Sequence, residues 1–186
     1  MMMLYLSMMG ISVLFLMLVI AYVQSHSFDT EAWKLKFPRF FSVSTLLMLA
    51  SSLTLSKSVR SYRKDNLRKV KRYFFVSILL SLAFIGTQVA GWYEISAAGI
   101  SFTELAAGTY IYLISALHAV HLLGGLLFLT VIFFRTQHAA SDAIRTLVFI
   151  RNPFIRQQIK MLTLYWHFMG GIWVSLYLVF LFTLGA

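Results

Sequence analysis

Four polar side chains interrupt otherwise apolar stretches of the sequence: Gln88, His118, His121 and His167. A polar group within a long apolar segment is costly unless it is paired, so these residues point to specific interactions. His118 and His121 are three positions apart, and on a helix that spacing places them on one face. Imidazoles in such a setting support three kinds of chemistry: metal ligation, haem ligation, or a buried hydrogen-bond network.

The residues around the histidines favour the network over either cofactor. A metal site built on His118 and His121 lacks a third protein ligand nearby, because the apolar stretches contain no Asp or Glu. A haem held by two histidines needs one from each of two facing helices, and His121 with His167 is the only credible pair. We therefore predict buried polar residues with a structural role, and no catalytic, cofactor-binding or metal-binding residue. The predicted buried set from these polar residues is Gln88, His118, His121 and His167.

The five apolar stretches contain no acidic residue, and the chain contains no cysteine. Both absences narrow the kinds of membrane protein that the sequence can encode. Proton pumps and transporters usually pass protons along Asp, Glu or His, so a principal proton pathway through this chain alone is not expected. The chain has no cysteine, which excludes thiolate-held zinc, iron–sulfur clusters and a cysteine-ligated copper centre. Glu94 and Glu104 border a loop, and Ser101 to Glu104 has the S-x-x-E form of a helix-capping box.

Eight basic residues fall between Lys57 and Arg72. Nucleic-acid binding would need such residues on a folded, water-soluble face. Here they lie in short loops between apolar stretches, so the net charge of +10 does not indicate a nucleic-acid partner. Clusters of Lys and Arg beside a membrane span are attracted to anionic lipid headgroups. The residues expected to contact headgroups are Arg68, Lys69, Lys71 and Arg72.

Five uncharged stretches are long enough to cross a bilayer, which takes about 20 apolar residues with a range of roughly 17–25. They cover residues 4–24, 40–56, 73–93, 105–134 and 161–186. With 60% apolar and 12% charged residues, the chain is predicted to be an all-α integral membrane protein. Residues 1–186 then form a single domain, a bundle of five transmembrane helices. The first stretch has no preceding Lys or Arg and is too long for a secretory signal, which favours a helix.

Basic residues are divided unequally between the two sets of loops. The N-terminus and the loops 57–72 and 135–160 carry 13 Lys and Arg, whereas the other loops and the C-terminus carry three. The positive-inside rule therefore predicts a cytoplasmic N-terminus and a periplasmic C-terminus. The fourth stretch would be about 45 Å long as a helix. If its excess projects into the cytoplasm, His121 and His167 reach a common depth. The segment 142–152 is interpreted as a helical extension or an interfacial segment.

Two motifs in the last two stretches are similar to those of a known family. Ser115-Ala-Leu-His-Ala-Val-His-Leu-Leu-Gly-Gly125 resembles a G-F-H-G-L-H-x-x-x-G segment. Tyr165-Trp-His-Phe168, followed by Trp173 and Tyr177, resembles a Y-W-H-F-x-x-x-x-W-x-x-x-Y segment. Both occur in the family's order, close to the C-terminus.

A third segment lies upstream of these motifs. Gln88-Val-Ala-Gly-Trp-Tyr-Glu94 is similar to a Q-x-x-E-Y-x-E stretch, with Gly91 in place of the first glutamate. From about Pro38 to Ala186, the chain resembles the cytochrome c oxidase subunit III family, the third subunit of haem–copper terminal oxidases. Longer members have seven helices, and the resemblance implies that the five here correspond to the last five, without the pair that forms one wall of the family's lipid-filled cleft. Bound phospholipid is therefore expected at a subunit boundary.

The resemblance implies a function in aerobic respiration. It implies a subunit without a redox centre, which docks on subunit I, the carrier of the haems and copper, beside subunit II and other respiratory-complex subunits. The subunit would support the stability and proton uptake of subunit I in a bacterial cytoplasmic (inner) membrane. A structural role is implied for the residues on motif positions, namely His118, His121, Trp166, His167 and, at the outer edge, Glu94.

Three other functions stay open from the sequence. The chain has the form of subunit III of a quinol oxidase, and also that of the five-helix accessory protein of nitric oxide reductases. A small-solute transporter is a third alternative, from a different class. It would need a central polar site, and only the three histidines within the apolar stretches supply one.

Overall fold

The computed structural model describes residues 2–28, 39–97 and 106–184, and every regular element in these ranges is an α-helix. Five of the six helices are long and apolar enough to cross a membrane. The helices are α1 (Met2–Phe28), α2 (Arg39–Tyr62), α3 (Leu67–Ala97), α4 (Ala106–Ala139), α5 (Ala143–Arg151) and α6 (Pro153–Leu184). The prediction of an all-α fold with five membrane-spanning helices is confirmed.

Most helices extend past the uncharged stretches that predicted them. α3 begins at Leu67 rather than at residue 73, and α4 ends at Ala139 rather than at residue 134. α6 begins at Pro153 rather than at residue 161. A helix can continue through these charged turns because Lys and Arg reach water along flexible stems while the backbone stays internally hydrogen-bonded. The predicted capping box at residues 101–104 lies outside the described residues.

The segment after α4 forms a separate short helix, α5. The Asp142 side chain caps its N-terminus by accepting a hydrogen bond of 3.3 Å from the backbone N–H of Ile144. Asn152 has extended backbone angles, φ −72° and ψ 113°. A residue before proline avoids helical angles, so Asn152 separates α5 from α6, and Pro153 begins the next helix. The segment is helical, but it does not extend a neighbouring helix, because residues 140–142 separate it from α4 and Asn152 separates it from α6.

Four helices form a closed bundle, and the first helix packs on its outside. α2 packs on α3, α3 on α4, α4 on α6, and α6 back on α2. α1 lies in the groove between α4 and α6. The Tyr22 and Thr183 hydroxyls are hydrogen-bonded at 2.7 Å. This bond places the second half of α1 beside the last turns of α6.

The contact between α2 and α3 is built on a seven-residue repeat. Such a repeat keeps one seam of each helix facing its partner. Small serine side chains on the seam let helix backbones approach closely and add hydrogen bonds across it. The Thr54 and Ser77 hydroxyls are 2.8 Å apart, and those of Ser51 and Ser81 are 3.5 Å apart. The buried repeat positions are Ser44, Ser51 and Ser58 on α2, and Leu67, Phe74, Ser81, Gln88 and Ile95 on α3.

We call one end of the bundle the basic end. It comprises the α2–α3 loop, the α4–α5 turn and α5, together with the helix ends that adjoin them. The Tyr62 hydroxyl, at the end of α2, donates to the backbone carbonyls of Phe149 and Ile150 at 3.3 and 3.2 Å. α5 is therefore bound to α2 as well as to its chain neighbours.

Candidate functional site

The histidine motif of α4 and the aromatic motif of α6 face each other. A Cβ built on Gly125 would lie 2.8 Å from Cε1 of Tyr165 and 3.4 Å from Cζ3 of Trp166. Only glycine leaves room for these rings against the α4 backbone. The Tyr165 hydroxyl then donates to the backbone carbonyl of His121 at 2.8 Å. The two motifs thus form one interhelical contact, which we call the motif contact.

His118 lies at the centre of the motif contact without a hydrogen-bond partner. Its side chain is fully buried, and its ring centroid is 5.1 Å from that of Trp173, 5.9 Å from Phe84 and 6.1 Å from Phe15. Neither ring nitrogen has a partner among the described residues. His118 is therefore held in an aromatic enclosure, and the predicted hydrogen-bond network does not include it.

His121 is half-buried on the next turn of α4. Its Nδ1 lies 2.8 Å from the backbone carbonyl of Leu117, so this nitrogen donates and the bond stays within the helix. Its ring contacts Phe15 of α1, with centroids 5.9 Å apart. The imidazole of His121 thus packs in the contact between α1 and α4.

His167 is placed differently from the prediction, because its side chain is exposed on the outer surface of α6. Nε2 lies 2.9 Å from the Ser56 hydroxyl, and Nδ1 contacts the Ser52 hydroxyl. A neutral imidazole has one donor and one acceptor, and a hydroxyl can serve either. We call Ser52, Ser56 and His167 the surface cluster. His121 and His167 share no hydrogen-bond partner, which corrects the expectation of a common network.

Gln88 and Trp166 are both fully buried. The side-chain amide of Gln88 donates to the Ser44 hydroxyl at 2.9 Å, while its Oε1 has no partner among the described residues. The indole N–H of Trp166 donates to the Ser51 hydroxyl at 3.1 Å. The indole of Trp173 likewise donates to Thr45 at 3.0 Å. Hydroxyls of α2 thus bind side chains from both α3 and α6.

These α2 hydroxyls are the site residues that sequence reasoning missed. Serine and threonine are common in membrane helices, so no single one stands out. The available signal was the spacing of Ser44, Ser51 and Ser58, which repeats every seven residues. That spacing marks one helical seam. It does not show which of the other helices lies against the seam.

Gly91 stands where the family motif has a glutamate, and the structure gives a reason. A Cβ at Gly91 would lie 2.7 Å from Cε1 and 2.9 Å from Cδ1 of Phe41. The Phe41 ring of α2 therefore occupies the space that a larger side chain would need. Glu94 lies one turn further along α3, half-buried, and its Oε2 has no partner among the described residues.

Among the described residues, the arrangement of donors does not fit a metal or a haem. Within the described ranges, no three His, Cys, Asp or Glu side chains come together. The histidine pair considered for haem does not face a common space: the His121 imidazole is hydrogen-bonded within α4, and the His167 imidazole is hydrogen-bonded to α2. His118 has aromatic rings against it rather than open space.

Three of the four residues expected to contact lipid headgroups line one groove. Arg68, Lys71 and Arg72 of α3 face Phe133 and Gln137 of α4 at the basic end. Lys69 is not among the lining residues of this groove. None of the three groove cations forms an ion pair with a described carboxylate.

Comparison with known proteins identifies a family for most of the chain. The family model for cytochrome c oxidase subunit III matches residues 38–185. A probable cytochrome c oxidase subunit 3 of Nocardia farcinica is 24% identical over 133 residues, covering 72% of this chain and 61% of that protein. The corresponding protein of Mycobacterium leprae is 25% identical over 138 residues, covering 74% and 63%. Cytochrome c oxidase subunit 3 of Bacillus sp. strain PS3 is 27% identical over 137 residues, covering 74% and 61%.

The chain spans about three fifths of the length of these relatives. The family match begins just before α2 and runs through α6, so α1 lies outside it. It includes both halves of the motif contact, His118 with His121 on α4 and the segment from Tyr165 to Trp173 on α6. A match over residues 38–185 shows that this membrane protein belongs to the cytochrome c oxidase subunit III family.

Proposed function

We propose that the chain is the non-redox subunit III of a bacterial haem–copper terminal oxidase of the cytochrome c oxidase type. The observation that carries this proposal is the family match across α2 to α6. The subunit binds subunit I, beside subunit II and other subunits of the respiratory complex. Haems and copper reside in those partners, and this chain supports the stability and proton uptake of subunit I in the inner membrane.

The surface cluster supports docking to another membrane subunit. His167 lies seven residues from Lys160, or about 10 Å along α6, which is inside the apolar part of the helix. An imidazole and two hydroxyls facing lipid at that depth are unfavourable. A helix of subunit I packed over this surface would remove the cluster from lipid. We therefore assign the α2–α6 face around His167 to the interface with subunit I.

The aromatic enclosure of His118 supports a structural role for the motif contact. Trp166 and Trp173 bind α2 through their indole N–H groups while their neighbours pack on α4. These contacts hold α6 between two other helices. The face carrying His167 is consequently presented in one orientation, as a docking surface requires.

Purification of the tagged chain from its native membrane tests the proposal. We expect a haem–copper catalytic subunit to co-purify in stoichiometric amount, with the haem spectrum belonging to that partner. The isolated chain, separated by mild detergent, should show no Soret band and no copper. Recovery of the chain without a haem–copper partner would overturn the proposal. A stoichiometric Soret band on the isolated chain would overturn the non-redox assignment alone. Co-purification of a nitric oxide reductase would establish the alternative function instead.

A further inference from the structure

A groove of about 540 Å³ separates α3 from α4 at the basic end, and it has two chemically distinct parts. One part is cationic and the other is aromatic. α1 and α6 contribute no lining residue. The lining residues are Arg68, Lys71, Arg72 and Phe75 of α3, and Phe133 and Gln137 of α4.

The cations of the groove share one face of α3. Arg68, Lys71, Arg72 and Phe75 occupy positions i, i+3, i+4 and i+7, which line up along a helix. Arg68 and Arg72 are exposed, and Lys71 is half-buried. Within the described ranges no ion pair neutralises them; the one ion pair found there joins Asp142 to Arg145 at 3.8 Å. The groove therefore presents concentrated positive charge to an anion.

Two aromatic rings, Phe75 and Phe133, line the groove beside the cations, and we call them the aromatic floor. Phe75 and Phe133 have ring centroids 6.1 Å apart at an interplanar angle of 33°. Phe75 is 50% exposed, although it lies inside the uncharged stretch that begins at Tyr73. The groove thus crosses the level at which α3 changes from charged to apolar residues. A ligand that fits both parts has an anionic head and a hydrocarbon tail.

We propose that this groove binds one anionic glycerophospholipid. Its phosphate lies among Arg68, Lys71 and Arg72, and an acyl chain lies against Phe75 and Phe133. Gln137 supplies a hydrogen-bond donor for the glycerol or ester oxygens. An anionic headgroup is favoured over a zwitterionic one, because an amine would meet the same unneutralised cations. Free phosphate shares the headgroup chemistry but makes no use of the aromatic floor.

Native mass spectrometry of the purified, delipidated full-length chain, with any subunits that co-purify, tests this site. The probe is phosphatidylglycerol, compared with phosphatidylcholine and with inorganic phosphate. We expect one phosphatidylglycerol to be retained in preference to phosphatidylcholine. The double variant Lys71→Gln/Arg72→Gln should weaken that binding about 30-fold, since each basic residue near an anionic lipid surface contributes roughly fivefold.

A matched control separates the groove from general surface charge. Arg63→Gln/Lys69→Gln removes one Arg and one Lys from the same exposed region, outside the groove, and should leave the retained lipid nearly unchanged. Phe75→Ala should weaken lipid binding without altering any binding of inorganic phosphate. Each variant is first shown to elute like the wild type, and Arg72→Gln alone replaces the double variant if the latter misfolds.

Three results would overturn the proposal. The first is equal loss of phosphatidylglycerol in both double variants, which would mean diffuse attraction to the basic end. The second is equal retention of phosphatidylcholine. The third is displacement of the lipid by millimolar inorganic phosphate, which would mean a site for the free anion.

Discussion

His167 binds α2 through both ring nitrogens, and it does so on the outside of the bundle. The two other membrane histidines differ from it and from each other. His121 bonds within its own helix, whereas His118 packs against three aromatic rings and has no hydrogen-bond partner among the described residues. A buried imidazole without a partner carries a cost that aromatic packing must offset. The three side chains therefore have separate roles, although all occupy family motif positions.

Replacement of His167 tests the docking surface at the residue level. His167→Ala removes both bonds to α2 and the imidazole from the surface that we propose docks on subunit I. Interhelical bonds in membranes average about 0.6 kcal/mol, with larger values near 1.7, so the chain itself should still fold. We expect less subunit I to co-purify, while the remaining complexes reduce oxygen at the normal initial rate.

Ser175→Ala is the control for this variant. Ser175 is also exposed on α6, but among the described residues its hydroxyl bonds to nothing except the carbonyl of Gly171 in its own helix. That variant should leave assembly unchanged. If His167→Ala complexes assemble fully and yet lose turnover from the first cycle, the structural interpretation of His167 is wrong.

At the scale of helices, the bundle is stabilised mainly where helix backbones approach one another closely. α2 meets α3 at Gly91, and α4 meets α6 at Gly125. In both places an aromatic ring of one helix lies against the backbone of the other. The hydroxyls of α2 then reach across to Gln88, Trp166 and Trp173. Packing and hydrogen bonding thus depend on the same short interhelical distances, as expected in lipid.

Gly91→Ala tests this dependence. Its new Cβ would lie 2.7 Å from the Phe41 ring, so the ring must move or the helices must separate. Overpacking of this kind costs about 1–3 kcal/mol. We expect a clear fall in the thermal midpoint of the detergent-purified chain, followed by loss of monodispersity on heating.

Gly86→Ala is a matched control on the same helix, because nothing lies within 4 Å of its Cβ position. It should be neutral or slightly stabilising, since alanine favours helices. Phe41→Leu should partly restore the Gly91→Ala variant, which a double-mutant cycle would detect. Equal stability of Gly91→Ala and Gly86→Ala would contradict the close contact.

For the whole molecule, most of the described basic residues lie at one end of the bundle. Lys64 and Arg68 of the α2–α3 region border the same pocket as Ala140 and Thr146 after α4. The start of α1 lies at this end too, since Met3 and Leu4 line a groove with Met161 and Leu162. The positive-inside rule then predicts that this end faces the cytoplasm.

Single-cysteine labelling tests that orientation, because the natural chain has no cysteine. In intact cells, an impermeant thiol reagent added from outside should label Gly99→Cys. Lys64→Cys should be labelled only after permeabilisation, which also serves as the control for reactivity. Labelling of Lys64→Cys but not of Gly99→Cys in intact cells would reverse the topology.

The sequence by itself determined the number of membrane helices and the family. Both are local properties: a span needs about 20 consecutive apolar residues, and the motifs around His118 and Trp166 are contiguous. It also predicted that the basic residues lie in loops beside the lipid headgroups and that the uncharged stretches cross the membrane. It did not predict how far α3, α4 and α6 extend, because flexible Lys and Arg stems blur the membrane boundary.

Only the tertiary structure decided which faces meet. In lipid a helix is apolar on its outer face as well as its buried face, so periodicity does not show where the neighbours lie. α1 and α4 have almost no difference between their faces. From the sequence, His121 and His167 therefore looked like hydrogen-bond partners. In the structure, α6 packs on α2, so His167 is hydrogen-bonded to Ser52 and Ser56 instead. For the same reason, the sequence did not predict the groove lined by Arg68, Lys71 and Arg72. Phe133, which completes its aromatic floor, belongs to another helix.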